Sequence, residues 1–567
     1  MEASSSKFVV KLLPSLTDFA FLMPIVFLFG RMEGVKTLLS DCDTGWHIRT
    51  GEWILANGWV PAQDVFSFSK PGAPWYAWEW LSDIVLAKIN ALGGLQAVVL
   101  FSILMLSVTF TGLFLLVRRK ASPVVAIAMT MLAAAASSIH WLARPHLFTL
   151  FFLVLFYAGL EQVREGRARV AGIPILAAFP VITILWTNLH GGFFVGTLMI
   201  GAYGAAAMLQ SLLGAEGALG AAWLKSRSYF ASAGACLAAS LINPYTYHLH
   251  VHMAAYLRDP WNSQHIMEFL SPSFHHPTAI FFEGMLLLAA STAVWNVSRG
   301  RLVEPILMLV WAHGALLAAR NIPIFMIAAA PPVGEAIQQL LLKLPALNLA
   351  GWVKKTAERF NRITEEMGQT EAIARWHLVS ALGMAMVAAL LYAPHPPKKF
   401  RSEFDPKSYP KAALATLRGD PGARVFTNDE WGDYLIYSGR KVFVDGRSDF
   451  YGDDFENKYI DVLNVKYGWE KTLNRFGVDT ILMPPSAPLT GALKESSRWR
   501  VVYDDGIALV FRSNVREPGT QISEAGRGDG KGRDRKVTKI EARDQAITET
   551  KPKLRSEHND VFAQSLE

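Results

Sequence analysis

The chain is a succession of long apolar stretches, near residues 13–38, 95–117, 121–140, 147–163, 172–188, 193–213, 229–243, 277–297, 303–320, 322–341 and 377–393. A helix that crosses a bilayer needs about 20 mostly apolar residues, because lipid offers the backbone no hydrogen-bond partners. These stretches therefore read as roughly eleven transmembrane helices of a polytopic α-helical membrane protein. The first is the weakest: Asp18, Arg31, Glu33 and Lys36 interrupt it, and Pro14 and Pro24 are placed to kink it. No small-x-small cleavage site follows it, so it reads as a retained anchor. With 51% hydrophobic and 18% charged side chains over 567 residues, a single soluble domain is excluded.

The polar links between these stretches fall into two sets. One set is basic: Arg118, Arg119 and Lys120; Arg164, Arg167 and Arg169; Lys225 and Arg227; Arg299 and Arg301; then Lys343, Lys354, Lys355, Arg359 and Arg362. The positive-inside rule makes this set cytoplasmic. The other set is then extracytoplasmic: residues 41–92, "HWLARPH" (140–146), "WTNLHGG" (186–192), "NPYTYHLHVH" (243–252) with its continuation to Pro277, and "ARN" (319–321). Nearly every distinctive polar motif lies in this second set, and that segregation predicts one cavity open to the outside. The formal charge of +7 is accounted for by the orientation signals, and no nucleic-acid partner is expected. Cys42 and Cys236, one in a loop and one in an apolar run, indicate neither a disulfide nor a cysteine metal site.

The membrane part is expected to span residues 1–395, with its first outer loop at 40–94. Beyond it the composition changes. Short β-rich runs at Val425–Phe426, Val442–Val444, Thr480–Met483, Val501–Tyr503 and Ala508–Phe511 alternate with helical patterns, which predicts a small α/β domain over 396–515. An odd number of spans from a cytoplasmic start places that domain outside. Residues 516–567 are charged, rich in Gly and Thr and poor in apolar anchors, the pattern of a disordered tail.

Several polar residues stand out against this background. Asp41 and Asp43 share one side of an extended segment, where both can face one ligand or a divalent metal. Asp43 also stands where a helix N-cap belongs, ahead of the amphipathic "TGWHIRTGEWILANG", so Asp41 is the sharper catalytic candidate. His47 lies one turn after Asp43, and the helix carrying it, with Trp46, Trp53 and Trp59, reads as lying on the membrane surface. Glu79, set between tryptophans in "WYAWEWLSD", is either a site carboxylate or part of an aromatic belt. Arg144, His146, His190 and Arg320 sit at the outer ends of different spans, where an uncompensated charge is costly. They either bind an anionic, lipid-linked substrate or pair with the carboxylates of the first loop. Asn188 and Asn321 flank two of them and complete the candidate substrate-binding set. The histidines at 248, 250, 252, 265, 275 and 276 are irregularly spaced, as in a solvated loop. "DEWGDYLIY" (429–437) and "VDGRSDFYG" (444–452) combine carboxylates, aromatics and glycine, a composition shared by carbohydrate-contacting faces and by ordinary strand-end turns.

The stretch "DCDTGWHIRTGEWILANGWVPAQDVFSFSKPGAPWYAWEWL" after the first span resembles the first extracytoplasmic loop of the C-type (GT-C) integral-membrane glycosyltransferases, and residues 1 to about 395 share that resemblance. D-x-D-T-x-W-H, N-x-H-G-G-F, R-N-I-P and W-G-D-Y-L…D-G-R also resemble segments of a bacterial branch with a C-terminal extracytoplasmic α/β domain. The resemblance implies a multi-pass protein of the bacterial inner membrane that moves a sugar from a polyprenyl-phosphate donor to an envelope glycan, lipid or protein. An aspartate of the first loop, Asp41 or Asp43, would serve as base or metal ligand, and basic residues would hold the departing lipid phosphate. A nucleotide-sugar donor would call for a Rossmann-like domain, which the span pattern does not contain, and the lack of a dedicated second nucleophile favours inversion. The competing reading is a non-catalytic polyprenyl-lipid binder in envelope assembly. A secondary transporter would need ionisable residues deep in its spans, and here they lie at the ends.

Overall fold

Every predicted apolar stretch falls on a helix of the computed structural model, which describes residues 10–214, 219–276 and 278–514. Among the described residues seven helices are long and apolar enough to cross a bilayer; Ile175–Leu189, Val303–Leu317 and Leu378–Leu391 are equally apolar but shorter. The stretch expected at 229–243 lies on a helix shifted towards the N-terminus, Leu219–Ala239. The tail expected from 516 onwards lies outside the described residues.

Six helices position the site: α1 (Asp43–Asn57), α2 (Trp80–Arg118), α3 (His146–Arg164), α4 (Ile175–Leu189), α5 (Ile322–Lys343) and α6 (Asp429–Tyr437). The first span holds its buried Asp18 in a reciprocal capping box with Ser15, so that charge closes a helix end instead of facing lipid. Helix α2 is 39 residues long but leaves helical geometry at Gly93 and Gly94. Its second half is the predicted span, and its first half extends the outer loop inward as a helix with one buried face, Ser82, Asp83, Leu86 and Ala87.

Two expectations for the first loop are corrected. Asp43 is not a cap: Cys42 holds the N-cap position, and Asp43 is the first helical residue, so the segment is not extended there. Asp41 accepts the Asp43 backbone N–H at 2.8 Å, which closes the turn into α1. Helix α1 is not a free amphipathic helix but is packed within the protein. Nine of its fifteen residues are buried, because α2 packs on one side of it and α6 on the other. A Cβ at Gly51 would stand 1.9 Å from the Asp83 carbonyl oxygen, so glycine is what lets α1 and α2 approach this closely.

The C-terminal region contains a four-stranded sheet of β1 (Val425–Phe426), β2 (Thr480–Met483), β3 (Trp499–Asp504) and β4 (Leu509–Ser513), in the order β1-β2-β4-β3. β1 and β2 are parallel and the other pairs antiparallel, with Phe426 opposite Ile481 and Leu482 opposite Val510. The fifth predicted strand, 442–444, does not join this sheet. Val442 pairs with the first outer loop, donating to Phe66 O at 3.0 Å and accepting from Phe68 N–H at 2.9 Å. The described residues pack as one body, and one aromatic and aliphatic core runs from the helical part into the sheet.

Candidate functional site

The loop "HWLARPH" is pinned at Ala143, whose N–H donates to Leu38 O at 2.9 Å and whose carbonyl accepts the Thr44 hydroxyl at 3.0 Å. This anchoring carries Arg144, just ahead of α3, over the start of α1. Its guanidinium reaches Asp41 Oδ2 with one nitrogen and Asp43 Oδ2 with another, both at 2.6 Å. Asp433 of α6 completes an acidic group in which ligand oxygens of Asp41, Asp43 and Asp433 all lie within 4.8 Å of one another. Burial raises the Asp43 and Asp433 carboxyls, Asp433 strongly; the Asp43 charge raises Asp433 further, while Arg144 and a hydrogen bond with Asp433 offset part of the rise at Asp43.

The second half of the site is built where α2 meets α4. Asn188 accepts Trp80 Nε1–H at 2.7 Å and donates to Ile184 O at 2.7 Å and Ile242 O at 2.9 Å, while the Ser82 hydroxyl donates to Leu189 O. These bonds bring Glu79 to His190, with His190 Nε2 3.3 Å from Glu79 Oε1. The other Glu79 oxygen lies 3.5 Å from His47 Nε2, and His47 Nδ1 is 2.7 Å from Asp83 Oδ1. Burial pushes Glu79 up to about 8, with Arg144 and Arg320 offsetting part of the rise, and it pulls His190 down to about 3 and His47 well below its ordinary range. Both histidines are neutral at physiological pH.

Arg320, in the turn before α5, meets Glu268 at 3.1 Å, and Glu268 lies 3.5 Å from Arg144, so a carboxylate stands between two arginines. All of this surrounds one cavity of about 590 Å³, counting the space at its mouth. Asp43, His47, Glu79, Arg144, His190 and Arg320 line it, facing an aromatic wall of Trp75, Tyr76, Trp78 and Tyr256.

The structure thus gathers most of the residues singled out in the sequence and separates a few. Asp41 stands behind Arg144 and does not line the cavity. Asn188 is committed to Trp80 and two backbone carbonyls, Asn321 donates to Gly314 O at 3.0 Å, and His146 Nε2 is hydrogen-bonded to His140 O at 2.9 Å. The six histidines expected in a loop do not converge, and His248, His250 and His252 lie instead on the helix Tyr247–Arg258: His252 meets Asp449 at 2.9 Å, His250 meets Ser240, and His265 stacks on Trp261. Sequence reasoning missed Asp83, Glu268, Asp433, Arg447 and Asp449. Asp433, Arg447 and Asp449 belong to the two segments whose composition also fits plain turns, and the clue was that each puts a carboxylate beside a glycine. At Gly446, which lines the cavity, a Cβ would come within 2.7 Å of Asp43 Oδ1 and 2.8 Å of Asp433 Oδ2.

Three convergent carboxylates, two of them buried and held close to one another by an open glycine position, fit a hard divalent cation with oxygen ligands. Asp41, Asp43 and Asp433 are the residues that would hold it.

Comparison with solved structures places this architecture. The chain is similar to the oligosaccharyltransferase of Archaeoglobus fulgidus tethered to an acceptor peptide with an NVT sequon, at TM-score 0.52 and 12% identity over 82% of this chain and 68% of that one. The apo form of the same enzyme matches at TM-score 0.50 and 11% identity, over 82% and 69%. The fold is of the GT-C type. A looser likeness, TM-score 0.40 at 13% identity over 87% of this chain and 97% of that one, extends to ArnT from Cupriavidus metallidurans bound to undecaprenyl phosphate. No family model matches the chain, and no curated protein sequence matches it. With a GT-C fold, the expected membrane-embedded architecture with a C-terminal part containing a small sheet stands.

Proposed function

We propose that this chain is an integral-membrane glycosyltransferase that moves a sugar from a polyprenyl-phosphate donor to a cell-envelope acceptor on the extracytoplasmic side of a bacterial inner membrane, with inversion. The observation that carries this reading is a single cavity, on a GT-C fold, in which carboxylates from one part of the wall face Arg144 and Arg320 on another. Glycosyl transfer from a lipid phosphate needs both: cations for the charge that grows on the leaving phosphate, and carboxylates to orient and deprotonate the acceptor. Arg144 and Arg320 offer forked donors for phosphate oxygens once Glu268 gives way, and the aromatic wall offers flat apolar faces for a sugar ring. A divalent cation held by Asp41, Asp43 and Asp433 would supply further charge stabilisation at the phosphate. The part from about residue 396 belongs to the site, since it contributes Asp433 and Gly446.

Asp41→Asn and Asp43→Asn, assayed in membranes for transfer from polyprenyl-phosphate sugars, each lower the rate by about 10²–10³-fold, with the larger loss at the cavity-lining Asp43. Two variants that transfer as well as the parent sink the assignment. A parent protein that binds polyprenyl phosphate and transfers nothing supports the lipid-binding reading instead.

A further inference from the structure

The acidic trio is not the only carboxylate centre at this site. Glu79 lies between two histidines, and the hydrogen bonds around His190 determine its ring tautomer. His190 Nδ1 accepts the Gly192 backbone N–H at 2.9 Å and faces the Thr149 hydroxyl at 2.8 Å. That hydroxyl oxygen already accepts Trp186 Nε1–H at 2.9 Å, so its own proton is free for His190. With Nδ1 an acceptor, the His190 proton is on Nε2, which donates towards Glu79 Oε1. His47 Nδ1 lies 2.7 Å from Asp83 Oδ1; with that carboxylate ionised, Nδ1–H donates to it and the Nε2 lone pair faces Glu79 Oε2. Glu79 therefore has a donor on one oxygen and an acceptor on the other, the setting of a carboxylate that can take a proton and keep it hydrogen-bonded.

We propose that Glu79 is the catalytic base that takes the acceptor's proton, with His47, fixed by Asp83, and His190 as the residues that position it. The step rests on the glycosyl-transfer reading and balances as follows. The acceptor oxygen forms a bond to the anomeric carbon as the bond from that carbon to phosphate oxygen breaks. The departing polyprenyl phosphate keeps the electron pair and meets Arg144 and Arg320, and the hydroxyl proton passes to Glu79 Oε2, where His47 Nε2 accepts its hydrogen bond. No imidazolium is formed, in keeping with the burial of both rings. Asp41 and Asp43, paired with Arg144, and Asp433 beside them are left to hold a cation and to orient the acceptor.

The proton affinity of Glu79 is set by groups from every element around it. Asp43 and His47 face it from α1, and Asp83 lies one turn along α2. Arg144, His190 and Arg320 stand at the ends of other helices, and Asp449 comes from the C-terminal region. The experiment uses the full chain in nanodiscs, with polyprenyl-phosphate hexoses, N-acetylhexosamines and pentoses as donors and a membrane lipid extract as acceptor. Transfer is followed against pH, and carboxyl protonation by infrared difference spectroscopy without donor. In the parent, kcat/KM rises with pH and levels off above about 8, and a protonated-carboxyl band bleaches with the same midpoint. Glu79→Gln lowers kcat/KM by about 10²–10⁴-fold, flattens the profile and removes the band. Asp83→Asn hands an N–H to His47 Nδ1 and turns Nε2 into a donor, which moves rise and band to lower pH. A Glu79→Gln enzyme as active as the parent, or a band that Asp83→Asn does not move, overturns the proposal. A parent that transfers nothing from the whole panel overturns the glycosyl-transfer reading, and the infrared arm still decides the hydrogen-bond arrangement around Glu79.

Discussion

Arg447 shows how much one side chain carries here. It is fully buried, donates to both oxygens of Asp445 at 2.7 Å and to Asp64 Oδ1 at 2.8 Å, and packs 4.5 Å from the centre of the Trp75 ring. Tyr451 adds a hydroxyl on Asp445 Oδ2 at 2.7 Å, so two buried carboxylates depend on one guanidinium. Removing one partner of such a group leaves the others charged and unpaired, which costs about 3–5 kcal/mol. Arg447→Met is therefore expected to lower the thermal unfolding midpoint of the purified protein sharply. The double change Arg447→Met with Asp445→Asn recovers part of that loss, and a single variant as stable as the parent contradicts the charge balance. Neither Arg447 nor Asp433 was legible as a site residue, because the partners that tie them to the first loop, Asp64 and Asp43, lie far away in the chain. Arg144, His190 and Arg320 were legible for a simple reason: a cation at the end of an apolar span needs a partner wherever the chain goes next.

Among the elements, α1 is the instructive case. Its amphipathic pattern with flanking tryptophans is what a helix on a membrane surface shows, and a helix buried between α2 and α6 shows the same, since periodicity reports a buried face without saying what buries it. Gly51 was the available sign, as an interfacial helix has no need of so close a backbone approach. The spans themselves were readable because lipid imposes both length and composition. The short turns were not, although they bring Glu268 into the site: Met267–Phe269 docks on Ala319–Asn321 through the Ala319 N–H to Leu270 O bond of 2.9 Å. Burial alone would raise Glu268, but Arg320 and Arg144 outweigh it and hold the carboxyl down at about 2. A carboxyl depressed in the folded state contributes stability that is complete above its ordinary value of 4.5 and is lost as pH falls towards about 2. The unfolding midpoint of the parent should fall across that acid window and fall less in Glu268→Gln. Parallel curves for the two proteins mean that the Arg144–Glu268–Arg320 arrangement does not hold in solution.

For the whole molecule, the consequence is that the cavity is assembled from both ends of the chain. The first loop and the C-terminal part exchange the Phe66, Phe68 and Val442 backbone bonds; Lys70 Nζ donates to Phe450 O at 2.8 Å and Tyr451 O at 2.9 Å; Arg49 Nε donates to Tyr437 O at 2.8 Å; and Arg447 meets Asp64. Covalent continuity through the exposed Pro394, His395 and Pro397 is then not what holds the site together. A protease site placed at His395 tests this directly. After cleavage of the detergent-solubilised protein, the two fragments are expected to co-purify, to separate only in denaturant, and to keep transfer within a few-fold of the uncut chain. Cleavage in intact right-side-out vesicles by externally added protease reports at the same time on whether the C-terminal part lies outside. If the C-terminal fragment washes away in detergent, the shared cavity and every role given to Asp433 and Gly446 fail together, whereas efficient cutting only after lysis leaves the cavity intact and reverses the orientation.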